Sequence, residues 1–308
     1  MKRFLLRTLL FLALATTVMT VLDLVLSAQL RERQAGPFST WTDIFHSRIT
    51  ADLVVMGTSR AWVQYSPAIL DSVLHTHSYN LGHDGSAFNR QYSRYLIYRK
   101  HNTKPRIIIQ NIDFTTLNYT SGYDQYQYFP YFRDPDIRHM VIPYEQFTLA
   151  DRTLPFYRYA NFGTQRLFSN KHVSIKGYCS RERDWNVAPL ERGVWTDYSA
   201  DPRTLKMFEQ FLAQASAEGI QVIFVHAPIF AGLTAQQQGL DTMWDIYRRL
   251  ATQYHIPILN YQNDTICSDT TCFHNRTHLN RKGAELFSRQ LANDLKKGHL
   301  VDISAEIK

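Results

Sequence analysis

Two residues in this chain have the types and positions to carry nucleophilic catalysis, Ser59 and His278. Ser59 stands in ADLVVMGTSRAW, where the apolar run Leu53–Met56 meets Gly57 and then Thr58, Ser59 and Arg60. A β-branched apolar run that stops at glycine reads as a buried parallel strand with an abrupt end. A serine on the turn from such a strand into a helix is held at the carboxyl edge of the sheet, where open α/β folds place ligands. Its backbone N–H lies near a helix N-terminus and could donate to a developing oxyanion. The alternative is that Thr58 and Ser59 only cap the next helix. His278 lies in FHNRTHLNRKGAELF, in the loop after the last strand, and would reach the same sheet edge. An imidazole in reach of a serine hydroxyl can take its proton during attack on an ester carbonyl, then return it to the leaving alcohol. His226 and His274 read as structural.

The elements that must position this pair follow an alternating rhythm. Apolar runs at residues 53–56, 77–81, 107–109, 220–225 and 256–259 read as strands. Helix-like spacing covers residues 88–100, 202–218, 234–254 and 283–296. Strand, helix, strand at this pitch predicts an α/β fold with about five parallel strands and right-handed crossovers. The rhythm stops between about residues 115 and 200, where aromatics are dense. Tyr119, Tyr123, Tyr126, Tyr128, Phe129, Tyr131 and Phe132 are followed by Phe156, Tyr157, Tyr159, Trp185, Trp195 and Tyr198. This stretch reads as an insertion over the carboxyl edge of the sheet, whose flat amphipathic rings suit sugars. The alternative is that they pack a small core of their own.

The chain has 308 residues, 44% hydrophobic and 20% charged, in keeping with a folded globular body. The net charge of +7 is dispersed, and no recognition motif accompanies it, so no nucleic-acid partner is expected. Lys2, Arg3 and Arg7 precede a mostly apolar stretch through Ala28, so residues 4–28 are long enough to cross a bilayer. A cleaved signal is the alternative, but a cut after Ala28 would put Leu26 where a small residue is preferred. The expected organisation is an anchor over residues 1–30, a linker over 31–50 and one α/β domain over 51–300 containing the insertion. Either reading of the N-terminus exports the body; the anchored form leaves it on the extracytoplasmic, periplasmic side. Cys267 and Cys272 flank a short polar segment and form either a local disulfide or two free thiols; Cys179 is left over. Three cysteines at these spacings do not make a zinc site, and no metal or cofactor is implied.

Three blocks in this order resemble the SGNH/GDSL hydrolase superfamily. GTSR resembles its first block, NLGHDGS its second and NRTHLNRKGA its last. The resemblance, over roughly residues 52–291, implies a flavodoxin-like three-layer sandwich and a serine-nucleophile mechanism. It implies Ser59 as nucleophile, His278 as general base, and the N–H groups of Ser59 and Gly85 in the oxyanion hole. Two positions depart from the pattern. Asn275 stands three residues before His278, where the family has aspartate. Its amide oxygen can orient the ring but brings no charge to an imidazolium, a change worth about 10⁴ in rate when it traps the wrong tautomer. In the third block, Asp113 falls where the family places an asparagine that donates to the oxyanion. Either Asn111 substitutes for it, or Asp113 points away, or that donor is lost.

The expected function is an exported serine esterase or O-acyltransferase acting on acylated carbohydrate or another small ester. The second reading is a catalytically degenerate carbohydrate-binding or assembly protein on the same fold. A flavodoxin-like nucleotide binder is set aside, because no phosphate-cradling glycine loop follows the first strand. The oligomeric state is left open.

Overall fold

In a computed structural model, the structure describes all residues except 161–173, 184, 186–197, 235–238 and 302–308. The chain divides into two compact units, residues 1–42 with 121–172, and residues 43–120 with 173–308.

The larger unit is built on five parallel strands: β1 Leu53–Met56, β2 Ser78–Asn80, β3 Ile107–Asn111, β4 Gln221–His226 and β5 Ile258–Asn260. Their spatial order is β2-β1-β3-β4-β5, the flavodoxin order, in which the chain reverses direction next to β1. β1 and β3 are buried at every residue, which is why β1 and the first three residues of β3 are continuous apolar runs rather than alternating ones; β3 ends in the buried polar pair Gln110 and Asn111. Val55 pairs with Asn80 on one side and with Ile109 on the other, so the carboxyl ends of β1, β2 and β3 lie together.

The helices, in chain order, are α1 Lys2–Arg31, α2 Phe38–Phe45, α3 Ser59–Gln64, α4 Pro67–Leu74, α5 Phe88–His101, α6 Pro135–Met140, α7 Leu149–Thr153, α8 Tyr157–Ala160, α9 Pro202–Ala217, α10 Leu240–Tyr254 and α11 Arg281–Lys297, with a short turn of helix at Ala231–Thr234. One sheet face sends Leu53, Val55, Ile109, Ile223 and Val225 into a core with Ala61, Leu70, Phe287 and Leu291, from α3, α4 and α11. On the other face Phe208 of α9 stacks on Phe224, and Tyr247 of α10 meets Phe224 edge-on. The result is three layers. Residues 235–238 of the long helix expected from 234 lie outside the described residues.

The smaller unit joins α1 and α2 to residues 121–160. The apolar side chains of α1 are exposed along most of its length, and it is long and apolar enough to cross a membrane, as an anchor or a signal sequence. Where the sequence predicts a linker over 31–50, residues 38–45 are helical. Trp41 of α2 is fully buried, donates Nε1–H to Gln127 at 2.9 Å and packs edge-on against Tyr128. The aromatic stretch predicted from 115 to 200 divides between the two units. Tyr128, Phe129, Tyr131, Phe132 and Tyr159 are buried, and Phe129–Tyr159 and Phe132–Phe147 pack edge to face. These rings form the small unit's own core, so they are not a sugar platform. Trp195 lies outside the described residues. Cys179, Cys267 and Cys272 are all free and buried, with the Cys267 thiol donating to the Tyr261 carbonyl, so the short polar segment is not closed by a disulfide.

Candidate active site

The strand-to-helix turn after β1 separates two roles that the sequence left together. Thr58 is the cap: its Oγ1 accepts from the Arg60 N–H at 3.3 Å and donates to Asp113 Oδ2 at 2.7 Å. Ser59 takes the first helical position, half-buried, with its hydroxyl free of capping and its N–H among the first-turn donors that have no intrahelical partner. Gly57 makes this turn possible. It has φ +152°, and a Cβ there would lie 2.6 Å from the Ala61 Cβ and 2.8 Å from the Asn111 Cβ. Gly57→Ala is therefore expected to lose activity together with about 1–3 kcal/mol of stability. Thermal melting and esterase assay of the same preparation check this; wild-type values in both would mean that the turn tolerates a side chain.

The histidine arrives on a second device, an antiparallel hairpin of β6 Phe273–Asn275 and β7 His278–Leu279. Asn280 fixes its base. Its Nδ2 donates to the carbonyls of Thr271 and Phe273, while its Oδ1 accepts from Gly283 N–H and so caps α11. Gly283 packs directly on the Cys272 carbonyl, leaving no room for a Cβ. The HLNRKG string thus encodes a hairpin pinned to the start of a helix.

This brings His278 Nε2 to 2.7 Å from Ser59 Oγ, across 219 residues of chain. The other ring nitrogen, Nδ1, is 3.0 Å from Asn275 Oδ1. That same oxygen accepts the backbone N–H groups of Thr277 and His278 and the Thr277 hydroxyl. Because these are donors, it is the amide oxygen that faces the ring. Nδ1 therefore carries the hydrogen, and the Nε2 lone pair points to the serine. Asn275 sets the tautomer needed by a general base, without a negative charge.

Burial, together with the Arg60 and Arg181 guanidiniums, lowers the His278 pKa to about 4. A base must be unprotonated, so lowering its pKa extends activity toward acid: kcat/KM is expected to fall only below about pH 4. Asn275→Asp adds a carboxylate where four donors already converge. It is expected to move this acid limb upward and to raise kcat by about tenfold or more, by stabilising the imidazolium. The pH–rate profiles of the two proteins, measured side by side, check both statements; an unmoved limb would mean that the carboxylate does not sense the ring.

Asp113 is not an oxyanion donor. It is buried, and its oxygens accept from Thr58 Oγ1, Asn111 Nδ2, the Thr115 N–H and hydroxyl, and the Thr116 hydroxyl. Although burial opposes its charge, nearby Arg60 and these donors hold its pKa below the usual carboxylate value. An ionised carboxylate has no proton to give. Asn111 is drawn into the same interior network: its Nδ2 donates to Asp113 and its Oδ1 accepts the Tyr65 hydroxyl at 2.7 Å. Arg60 is buried with its Nη1 4.0 Å from Asp113 Oδ2, and Nη2 donates to the Ala227 carbonyl. Thr58, Arg60 and Asp113 thus tie the nucleophile's turn to the ends of β3 and β4, a role that sequence reading missed.

Gly85 lies in the segment that extends β2. The N–H groups of Leu81 and His83 donate to the carbonyls of Val55 and Gly57, so this segment runs beside the nucleophile's turn, and Gly85 follows two residues later with φ +59°. Asn111 and Asp113 are engaged in the interior network through the bonds described above. His226 is buried, its pKa lowered to about 3 by burial and by Arg60, and His274 Nδ1 lies 3.1 Å from the Arg183 carbonyl. Two rings flank the catalytic elements. Trp62 of α3 carries the Arg181 guanidinium over its face, and Trp185 packs edge-on against Phe230 while its backbone N–H bonds to Phe273.

The fold and this site define a flavodoxin-order α/β protein with a serine–histidine–asparagine constellation at its carboxyl edge. No family model matches the chain, and no curated protein matches it. Among solved structures, it is similar to a GDSL-like lipase from Bacteroides thetaiotaomicron VPI-5482, with TM-score 0.36 and 11% identity over 79% of this chain and 87% of that one. It is also similar to an alpha/beta hydrolase enzyme from the metagenome of Lake Arreo, Spain, with TM-score 0.41 and 12% identity over 82% of this chain and 97% of that one. Both likenesses are distant, and the chemistry of the site stands on its own geometry.

Proposed function

We propose that this chain is an exported serine esterase or O-acyltransferase of the SGNH/GDSL kind, acting on ester-linked acyl groups of carbohydrate. The observation that carries the reading is the 2.7 Å contact from His278 Nε2 to Ser59 Oγ, with Nδ1 held by Asn275. His278 takes the hydroxyl proton as Ser59 Oγ attacks the ester carbonyl. The Ser59 and Gly85 N–H groups receive the oxyanion. Collapse of the intermediate expels the alcohol, which takes the proton back from His278, and leaves the acyl group on Ser59. Water or a sugar hydroxyl, deprotonated by the same imidazole, then removes it. Which of the two reaches the acyl-enzyme decides between hydrolysis and transfer. The carbohydrate part rests on Trp62 and Trp185, half-buried rings beside the catalytic elements.

Residues 4–28 hold the protein in the membrane in this reading, and Lys2, Arg3 and Arg7 keep the N-terminus cytoplasmic and the body outside. Two observations favour a degenerate binding protein instead: Asn275 lacks the charge of the usual aspartate, and Asp113 stands, ionised, where an oxyanion donor is expected. A fluorophosphonate probe on the full chain in detergent distinguishes the two readings. Labelling at Ser59, lost in Ser59→Ala, together with acetate release from acetylated oligosaccharide, is the expected result. An unlabelled Ser59 would leave the binding-protein reading.

A further inference from the structure

The smaller unit contains a cavity of about 360 Å³ far from any residue of the catalytic pair in sequence, lined by Arg133, Arg138, Arg152 and Arg158 with Ile142 and Leu154. Among the described residues, no acidic side chain lines it. Two carboxylates close by in sequence have other roles: Asp134 caps α6, and Asp151 completes a capping box with Thr148 at α7. Its volume is in the range of small-molecule sites, and its chemistry, guanidiniums beside apolar side chains, suits a phosphate ester attached to something greasy.

Its place along α1 says where that ligand would come from. Phe4 to Leu22 form a segment about 28 Å long at 1.5 Å per residue, close to the hydrocarbon thickness of a bilayer. The pattern then changes. Asp23, Ser27 and Leu30 are buried within the unit. Asp23 pairs with Arg158 at 2.6 Å and accepts the Phe156 N–H, and Ser27 bonds the Tyr159 hydroxyl at 2.8 Å. Arg158 therefore does two things: it neutralises the only acid in α1 and lines the cavity. It thus ties the cavity's lining to α1 at Asp23, just past the exposed apolar segment. Beside it, Leu149 and Leu154 are exposed at 75% and 52%, as residues that dip into a headgroup layer would be.

We infer that this cavity binds the headgroup phosphate of an anionic phospholipid in the leaflet facing the body. The inference rests on the anchor reading proposed above. Arg133, Arg138 and Arg152, all exposed, supply the charge, while Arg158 is held by Asp23. Lipid bound there would fix the small unit against the membrane surface.

The full chain, reconstituted in nanodiscs of phosphatidylcholine or of phosphatidylcholine mixed with phosphatidylglycerol, tests this by hydrogen exchange and by mass spectrometry of retained lipid. In the mixed discs, peptides from 133–155 are expected to exchange more slowly, and phosphatidylglycerol to be enriched about tenfold or more on the extracted protein. The triple variant R133Q/R138Q/R152Q should lose both effects, while R48Q/R249Q, which removes exposed arginines of the larger unit, should lose neither. Equal behaviour in the two lipids, or a preference that survives the triple variant, would overturn the lipid site. Slower exchange produced in phosphatidylcholine discs by inorganic phosphate alone would overturn it in favour of a free-phosphate site. Alkaline extraction of native membranes separates the two levels of failure. A chain released by alkali removes the anchor itself, whereas a chain that stays but shows no lipid preference removes only the cavity's assignment.

Discussion

Ser59→Ala is expected to lower kcat for ester cleavage by about 10⁵–10⁶, His278→Ala by a similar factor, and the double variant by no more than either alone. The reason is geometric. A serine hydroxyl is a poor nucleophile at neutral pH, and the 2.7 Å contact to Nε2 is what makes it reactive, so either change removes the same unit. Residual turnover in all three variants would come from oxyanion donors and substrate binding. Measuring all four proteins as full chains in detergent, on one activated acetate ester, gives a double-mutant cycle. Losses that add in free energy would place the working base elsewhere.

The second large effect is on stability. Asp113→Asn is expected to destabilise the larger unit by about 3–5 kcal/mol, because it strands the buried Arg60 charge and weakens a node that accepts five hydrogen bonds. Urea unfolding at neutral pH measures it. The sign with pH follows from the depressed Asp113 pKa: its contribution is present above the ordinary carboxylate value and is lost as pH falls through the folded value. The gap between wild type and variant should therefore narrow in acid. Replacing both partners, in Arg60→Met with Asp113→Leu, should recover much of the stability, since no charge is then left buried and unpaired. It should not recover activity, because Thr58 loses the acceptor that holds its cap beside Ser59. An Asp113→Asn protein within 1 kcal/mol of wild type would show that the pair is screened by water.

The parts of this protein legible in its sequence are those fixed by local periodicity. The strand Leu53–Met56 could be read because a strand buried on both faces must be apolar throughout, and α9 because its apolar residues recur at helical spacing. The positions of Ser59 and His278 at one edge followed from parallel order alone, since the carboxyl ends of parallel strands share a side. Legibility stopped where one residue type serves two ends. Thr58 and Ser59 are equally good caps in sequence, and only the Asp113 acceptor shows that Thr58 takes that role. Tyr and Phe in the aromatic stretch are as suited to sugars as to a core. Burial against Trp41 and one another decides for the core, and Trp41 itself lies in a segment that reads as linker.

By itself, then, the chain's pattern determined the α/β class, the apolar helix at the N-terminus and the two loops that had to meet, because burial and periodicity leave their mark on consecutive residues. Tertiary structure alone decided what Asn275 and Asp113 do and where Asp23 finds a partner. Asn275 orients the ring through its oxygen, Asp113 accepts five donors in the interior, and Asp23 pairs with Arg158 across 135 residues. A polar side chain's role depends on which partners converge on it, and convergence between distant segments leaves no trace in the spacing of either one.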